Sequence, residues 1–196
     1  DADALEVGQD YDLAVNKSKR EQTKSNHSAT HLLQAALINV LGDHVKQAGS
    51  QVGAEKLRFD FTHLQAMTNA EIVEVEKLVN QWIQSSSPVQ ANEMSMEQAI
   101  SKGALAFFGD KYGDKVRVLQ MGEHSTELCG GTHVSNTSDI GLFKILSESS
   151  LSTGVRRIEA TTSIKAFEWL TERSDILDQI ESNLKEKGQN AVQRID

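Results

Sequence analysis

Two apolar stripes at helical spacing constrain this chain more than anything else in it. Leu32, Leu33, Ala36, Leu37, Val40 and Leu41 form the first, and Ile72, Val75, Leu78, Val79, Trp82 and Ile83 form the second. Each stripe gives a helix one apolar face that must be buried against another layer. The first helix is expected over 25–41, with Ser25 or Asn26 as N-cap and Gly42 as its stop. The second is expected over 69–86, opened by Thr68 or Asn69 and closed ahead of Pro88, the only proline.

The other segments supply the second layer. "HVKQAGSQVGAEKLRFDFTH" reads as two strands in a hairpin turning at Gly53. Pro88 starts an extended piece through Met94, a short helix follows near 95–102, and "VRVLQMG" is a strand. "LFKILSES" and "VRRIEATT" are two more strands, joined by "SLSTG". "GALAFFGDKYGDK" reads as a loop burying Phe107 or Phe108, and "TELCGGTHVSNTSDIG" as a turn-rich loop between strands. The expected fold is therefore α+β: a curved, mostly antiparallel sheet with packed helices and a C-terminal helical tail. That tail, from residue 163, carries a stripe of Ile164, Phe167, Leu170, Leu177, Ile180 and Leu184 that needs a partner. Within the first twenty residues only "DLAV" is strand-like.

His27 and His31 lie four apart at the start of the expected first helix, so both imidazoles leave one face. Cys129 and His133 are also four apart, separated by two glycines that let the backbone fold tightly. Three imidazoles and a thiolate are a good ligand set for Zn²⁺, and paired ligand motifs far apart in sequence are common in zinc sites. His27, His31, Cys129 and His133 are the expected ligands. His44, His63 and His124 fall outside this spacing, and Asp60 and Glu127 read as surface carboxylates.

A single cysteine rules out an intrachain disulfide and suits a reducing compartment. No apolar run is long enough to span a bilayer and no signal peptide is visible, so the expected location is the cytoplasm. The net charge of −8 argues against a surface that grips nucleic acid all over, but not against a local basic patch. Lys17, Lys19, Arg20 and Lys24 form one cationic group; Lys111, Lys115 and Arg117 form another; Arg156 and Arg157 are adjacent. Asp rather than Met at position 1 reads as a chain cut or processed at its start.

"HSATHLL" followed far downstream by "CGGTHV" resembles the editing domain of alanyl-tRNA synthetase. The resemblance runs through "GSQVG", "LRFDFTH", "FGDKYGDKVRV", "STELCGGTHV", "GLFKI" and "GVRRIEA", over roughly residues 20–162. Free-standing alanyl editing proteins share both motifs, and the threonyl editing domain shares a version of them; the "CGGTH" form resembles the alanyl one. On this likeness residues 1–20 are the end of a preceding β-rich module and 21–162 a zinc-binding editing domain. Residues 163–196 are then the start of a helical segment leading to a C-terminal module.

The resemblance implies a deacylase that hydrolyses the ester of mischarged tRNA(Ala), chiefly seryl- and glycyl-tRNA(Ala), with one Zn²⁺. It implies tRNA(Ala), through its acceptor end, and the rest of the synthetase in cis as partners. The ATP-dependent aminoacylation core is not recognisable in this sequence. Thr30, one residue before a ligand, and Gln47 are expected to read the substrate's hydroxyl or ester end, with Cys129 in the catalytic set. Arg20, Lys24, Arg156 and Arg157 are the candidates for tRNA phosphates; strand alternation sends Arg156 and Arg157 to opposite faces. Three other readings share the motifs: a non-catalytic zinc-stabilised tRNA-binding module, a free-standing aminoacyl-tRNA deacylase, and a zinc hydrolase of unrelated substrate.

Overall fold

The computed structural model describes residues 7–104 and 115–194. Phe107, Phe108 and Lys111 lie outside the described residues. The elements are α1 (Lys17–Leu41), β1 (Gln47–Val52), β2 (Leu57–Thr62), α2 (Asn69–Gln84), β3 (Val89–Ser95), α3 (Met96–Ser101) and β4 (Lys115–Met121). They continue with β5 (Ser125–Leu128), a 3-10 turn at Thr137–Ile140, β6 (Phe143–Ser152), β7 (Val155–Thr162), α4 (Ser163–Leu184) and α5 (Gln189–Gln193). The fold is α+β, as expected, but its strands divide between two antiparallel sheets. One has the order β1-β2-β7-β6 and the other β3-β4-β5.

The first helix corrects the sequence reading. It begins at Lys17, where the Asn16 side chain accepts a hydrogen bond from the Lys19 amide at 2.9 Å. Its first two turns, "KSKREQTK", carry no apolar stripe; good helix formers alone extend it. His27 and His31 therefore stand in the interior of α1, not at its first turn. "DLAV" forms no strand: residues 9–16 are irregular, and Leu13 is 93% exposed. α1 also crosses residue 20, so residues 17–20 share one helix with His27 and His31.

α2 starts where expected, with Thr68 and Glu71 forming a reciprocal capping box. Period-two alternation on β2 turns Leu57, Phe59 and Phe61 inward, where they meet Leu32, Leu33 and Leu37 of α1 in the main core. Val75, Val79 and Ile83 of α2 join it, as do Leu119 and Met121 of β4, which ties the smaller sheet to the larger unit. Among the described residues no helix is long and apolar enough to cross a membrane.

Asn26 fastens α1 to this frame. Its amide nitrogen donates to the carbonyls of Gly53 and Ala54 at 2.9 and 3.2 Å, in the β1–β2 turn. Its carbonyl accepts from the Thr162 hydroxyl at 2.7 Å, at the end of β7. The side chain is wholly buried. Asn26→Ala strands all three partners and is expected to lower unfolding free energy by about 3 kcal/mol in a urea titration. A midpoint equal to wild type would show that water replaces the bonds without loss.

Candidate metal centre

α1 supplies His27 and His31 from one helix face, and the loop after β5 supplies Cys129 and His133. The Cys129 Sγ lies 3.2 Å from Nε2 of His133 and 3.6 Å from Nε2 of His27. The imidazole centroids are 5.3 Å apart for His27 and His31, 4.2 Å for His27 and His133, and 5.1 Å for His31 and His133. One ligand atom from each of the four residues falls within 4.8 Å of the others. The expected set is thus brought together by the fold.

The loop is shaped for this approach. Arg117 on β4 donates through Nη1 to the carbonyls of Cys129 and Gly131, at 2.7 and 2.9 Å. Gly131 lies so close to His27 that a Cβ there would stand 2.6 Å from Nδ1 and nearer still to Cε1. Any side chain at 131 would occupy the ring's place. Ser28 orients the fourth ligand: its Oγ accepts from the Val134 amide at 3.1 Å and lies 3.2 Å from Nδ1 of His133. His133 thereby turns Nε2 toward the thiolate.

Glu127 overturns its sequence reading. It is 1% exposed, not a surface carboxylate. Its Oε2 lies 2.7 Å from Nδ1 of His31, and its Oε1 accepts from the Ser125 hydroxyl at 2.9 Å. A carboxylate on the far nitrogen of a metal-binding histidine fixes the ring and raises its basicity. Asp60 is buried too, 4% exposed, but on the other face of the large sheet beneath Arg157. No local pattern marks Glu127, since its partner is 96 residues away. Ser28 escaped the sequence reading for the same reason, its partners lying 105 and 106 residues away.

The donor set fits a metal ion. His31 Nε2 is buried and has no hydrogen-bond partner, while the nitrogen on the other side of its ring is held by Glu127. An orphaned buried nitrogen among a thiol and two other imidazoles is the arrangement a metal completes. Burial resists ionisation of the Cys129 thiol, but hydrogen bonds from His133 and His27 and the nearby His31 outweigh it and hold it at about 3. A thiolate is the form that ligates. Burial likewise opposes protonation of His31, yet the Glu127 carboxylate outweighs it and lifts the group to about 10. Burial keeps His133 below the ordinary histidine value.

Thr30 is buried in α1, and its hydroxyl donates to the Asn26 carbonyl at 2.9 Å. Gln47 is half-buried at the start of β1, opposite Phe61. Arg20 and Lys24 lie on the α1 stripe that continues to His27 and His31; Lys24 pairs with Glu21 at 2.8 Å. Arg156 binds both oxygens of Glu148, at 2.5 and 2.7 Å. Arg157 binds both oxygens of Asp60, at 2.7 and 3.0 Å. These two guanidiniums hold the sheet together through carboxylates of their own chain.

The family described as "Threonyl and Alanyl tRNA synthetase second additional domain" matches residues 116–159, which include Cys129 and His133 but not the α1 histidines. The chain is 51% identical over 97% of its length to the alanine–tRNA ligase of Thermotoga maritima. It is 52% identical over 98% of its length to that of Lactobacillus helveticus, and 52% identical over 92% to that of Clostridioides difficile. It spans about a fifth of these relatives, 22%, 22% and 21% respectively. Over nearly its whole length the chain is thus similar to part of bacterial alanine–tRNA ligases, and residues 116–159 within it match the second additional domain shared by threonyl and alanyl tRNA synthetases.

Proposed function

We propose that the chain hydrolyses the ester bond of mischarged tRNA(Ala), chiefly seryl- and glycyl-tRNA(Ala), at a centre that holds one Zn²⁺. The observation that carries this reading is the orphaned Nε2 of His31, buried among His27, Cys129 and His133 in a relative of alanine–tRNA ligases. Such a reaction has a clear physical need. A pocket built for alanine cannot exclude the smaller glycine, and one added hydroxyl is a modest obstacle to serine. The acceptor end of tRNA(Ala) and the rest of an alanine–tRNA ligase in cis are the partners this reading assigns.

His27, His31, Cys129 and His133 would hold the zinc, which would supply Lewis acidity to the ester. The chain's residues do the rest. His31, with Glu127 behind it, is the buried anchor; His27, Cys129 and His133 are half-buried and form the side a substrate can reach. Thr30 already spends its proton on Asn26, so its oxygen offers lone pairs that a seryl hydroxyl can donate to. An alanyl group has no such donor and gains nothing there. Gln47 supplies a second polar group for the aminoacyl end.

The test is deacylation of seryl- and alanyl-tRNA(Ala) by the chain and by Cys129→Ala. Serine release with alanine spared is expected, falling at least about a hundredfold in the variant as metal binding weakens. If the folded, zinc-loaded chain releases no serine, either the module only binds or it needs the rest of a ligase, and adding back a C-terminal region separates the two.

A further inference from the structure

The outer face of the four-stranded sheet carries a cleft that the metal centre does not use. Alternation on β2 and β7 puts Arg58 and Arg157 on this face, away from the apolar core. The β1–β2 turn adds Lys56, the first turn of α1 adds Lys19, and the first turn of α4 adds Lys165. The cavity between them measures about 910 Å³. That is within the range of a ligand-sized site, but such sites are ordinarily lined by apolar and aromatic side chains. Here five cations line it against two carboxylates, Glu55 and Glu159, in a chain whose net charge is −8.

Not all of that charge is spent within the protein. Arg157 is held by Asp60, Lys56 by Glu159 at 2.5 Å, and Lys165 by Glu55 and Glu168 at 3.3 and 3.0 Å. Arg58 differs: its Nε is buried without a hydrogen-bond partner, 3.6 Å from the Asp60 carboxylate. Lys19 is exposed at the rim, at the N-terminal end of a long helix whose amides favour anions. Cations crowded round an open cavity fit a ligand bearing several separated negative charges. A phosphodiester backbone presents them at regular spacing.

The cleft is joined to the metal centre through α1. Gly53 and Ala54 line its edge, and both carbonyls are held by Asn26, the residue before His27. We propose that this cleft grips the phosphates of the tRNA acceptor arm, so that the strand leaving it runs on toward the His27–Cys129 side of the centre. The assignment rests on the editing reading for the identity of the RNA, and it places the grip on a surface other than the Arg20–Lys24 stripe. Lys19, Arg58 and Lys165, whose ion pairs with the exposed Glu55 and Glu168 a phosphate can displace, are the residues that contact phosphate; Arg157 and Lys56 shape the floor through their own ion pairs.

The experiment measures binding of unacylated tRNA(Ala) by fluorescence anisotropy over a series of salt concentrations, with seryl-tRNA(Ala) hydrolysis in parallel. The variants are Lys19→Ala/Lys165→Ala, both at the surface, and Arg58→Gln, with Lys102→Ala at the end of α3 as a control. The double variant is expected to bind about tenfold more weakly near physiological salt, and its log–log salt slope to shrink by about 1 per lost phosphate contact. Arg58→Gln shifts the same way and Lys102→Ala is unchanged. In hydrolysis KM rises and kcat holds. Binding and slope equal to wild type in both cleft variants, all folded by circular dichroism, overturns the cleft whether or not serine is released. Weakened binding in a protein that releases no serine keeps the cleft as an RNA surface and removes the editing reading alone.

Discussion

Gly131→Ala is expected to cost the chain its metal site while leaving its fold in place. The new Cβ would stand 2.6 Å from Nδ1 of His27, inside the space the ring now fills. The loop cannot retreat easily, because Arg117 holds the carbonyls on both sides of the turn. His27 has to leave its rotamer and with it the ligand set. Zinc affinity measured by chelator competition should fall at least about a hundredfold, and deacylation with it. The main core contains neither residue, so the thermal midpoint of the metal-free protein should move little. A variant that still takes up one equivalent of zinc at wild-type affinity would show that His27 is not a ligand.

Glu127→Gln tests the buried support behind the site. The replacement keeps the volume and a hydrogen bond for Ser125, but removes the charge facing Nδ1 of His31. Nothing then fixes that ring's tautomer with equal strength, and the nitrogen aimed at the metal becomes less basic. Zinc affinity should fall by about ten- to a hundredfold, and the seryl-tRNA(Ala) deacylation rate at saturating zinc should recover most of the way. A loss of rate that zinc does not repair would give Glu127 a part in the chemistry instead. Glu127→Ala should be worse for folding, since it leaves a buried histidine facing an empty space where its partner stood.

Much of this was legible in the sequence. The stripes of α1 and α2, the hairpin at Gly53, the capping residue Thr68 and the strand pair β6–β7 all came from local periodicity and turn chemistry. The four residues that the fold brings together at the candidate metal centre came from spacing and residue type. The errors are as instructive. The polar start of α1 lacks the apolar period by which a helix is recognised, so the helix seemed to begin eight residues late, at 25 and not at 17. "DLAV" has strand-like composition, but a strand exists only against a partner edge. No local pattern shows that Arg156 and Arg157 meet Glu148 and Asp60 on neighbouring strands.

The sequence by itself determined which residues can ligate a metal and which faces of the helices must be buried, because those depend on side-chain chemistry and on repeats a few residues long. Only the tertiary structure decided that Glu127 backs His31, that Gly131 makes room for His27, and that five cations gather on the outer sheet face. Each of these joins groups far apart along the chain. Their worth comes from burial and distance, which exist only once the sheet has closed over α1.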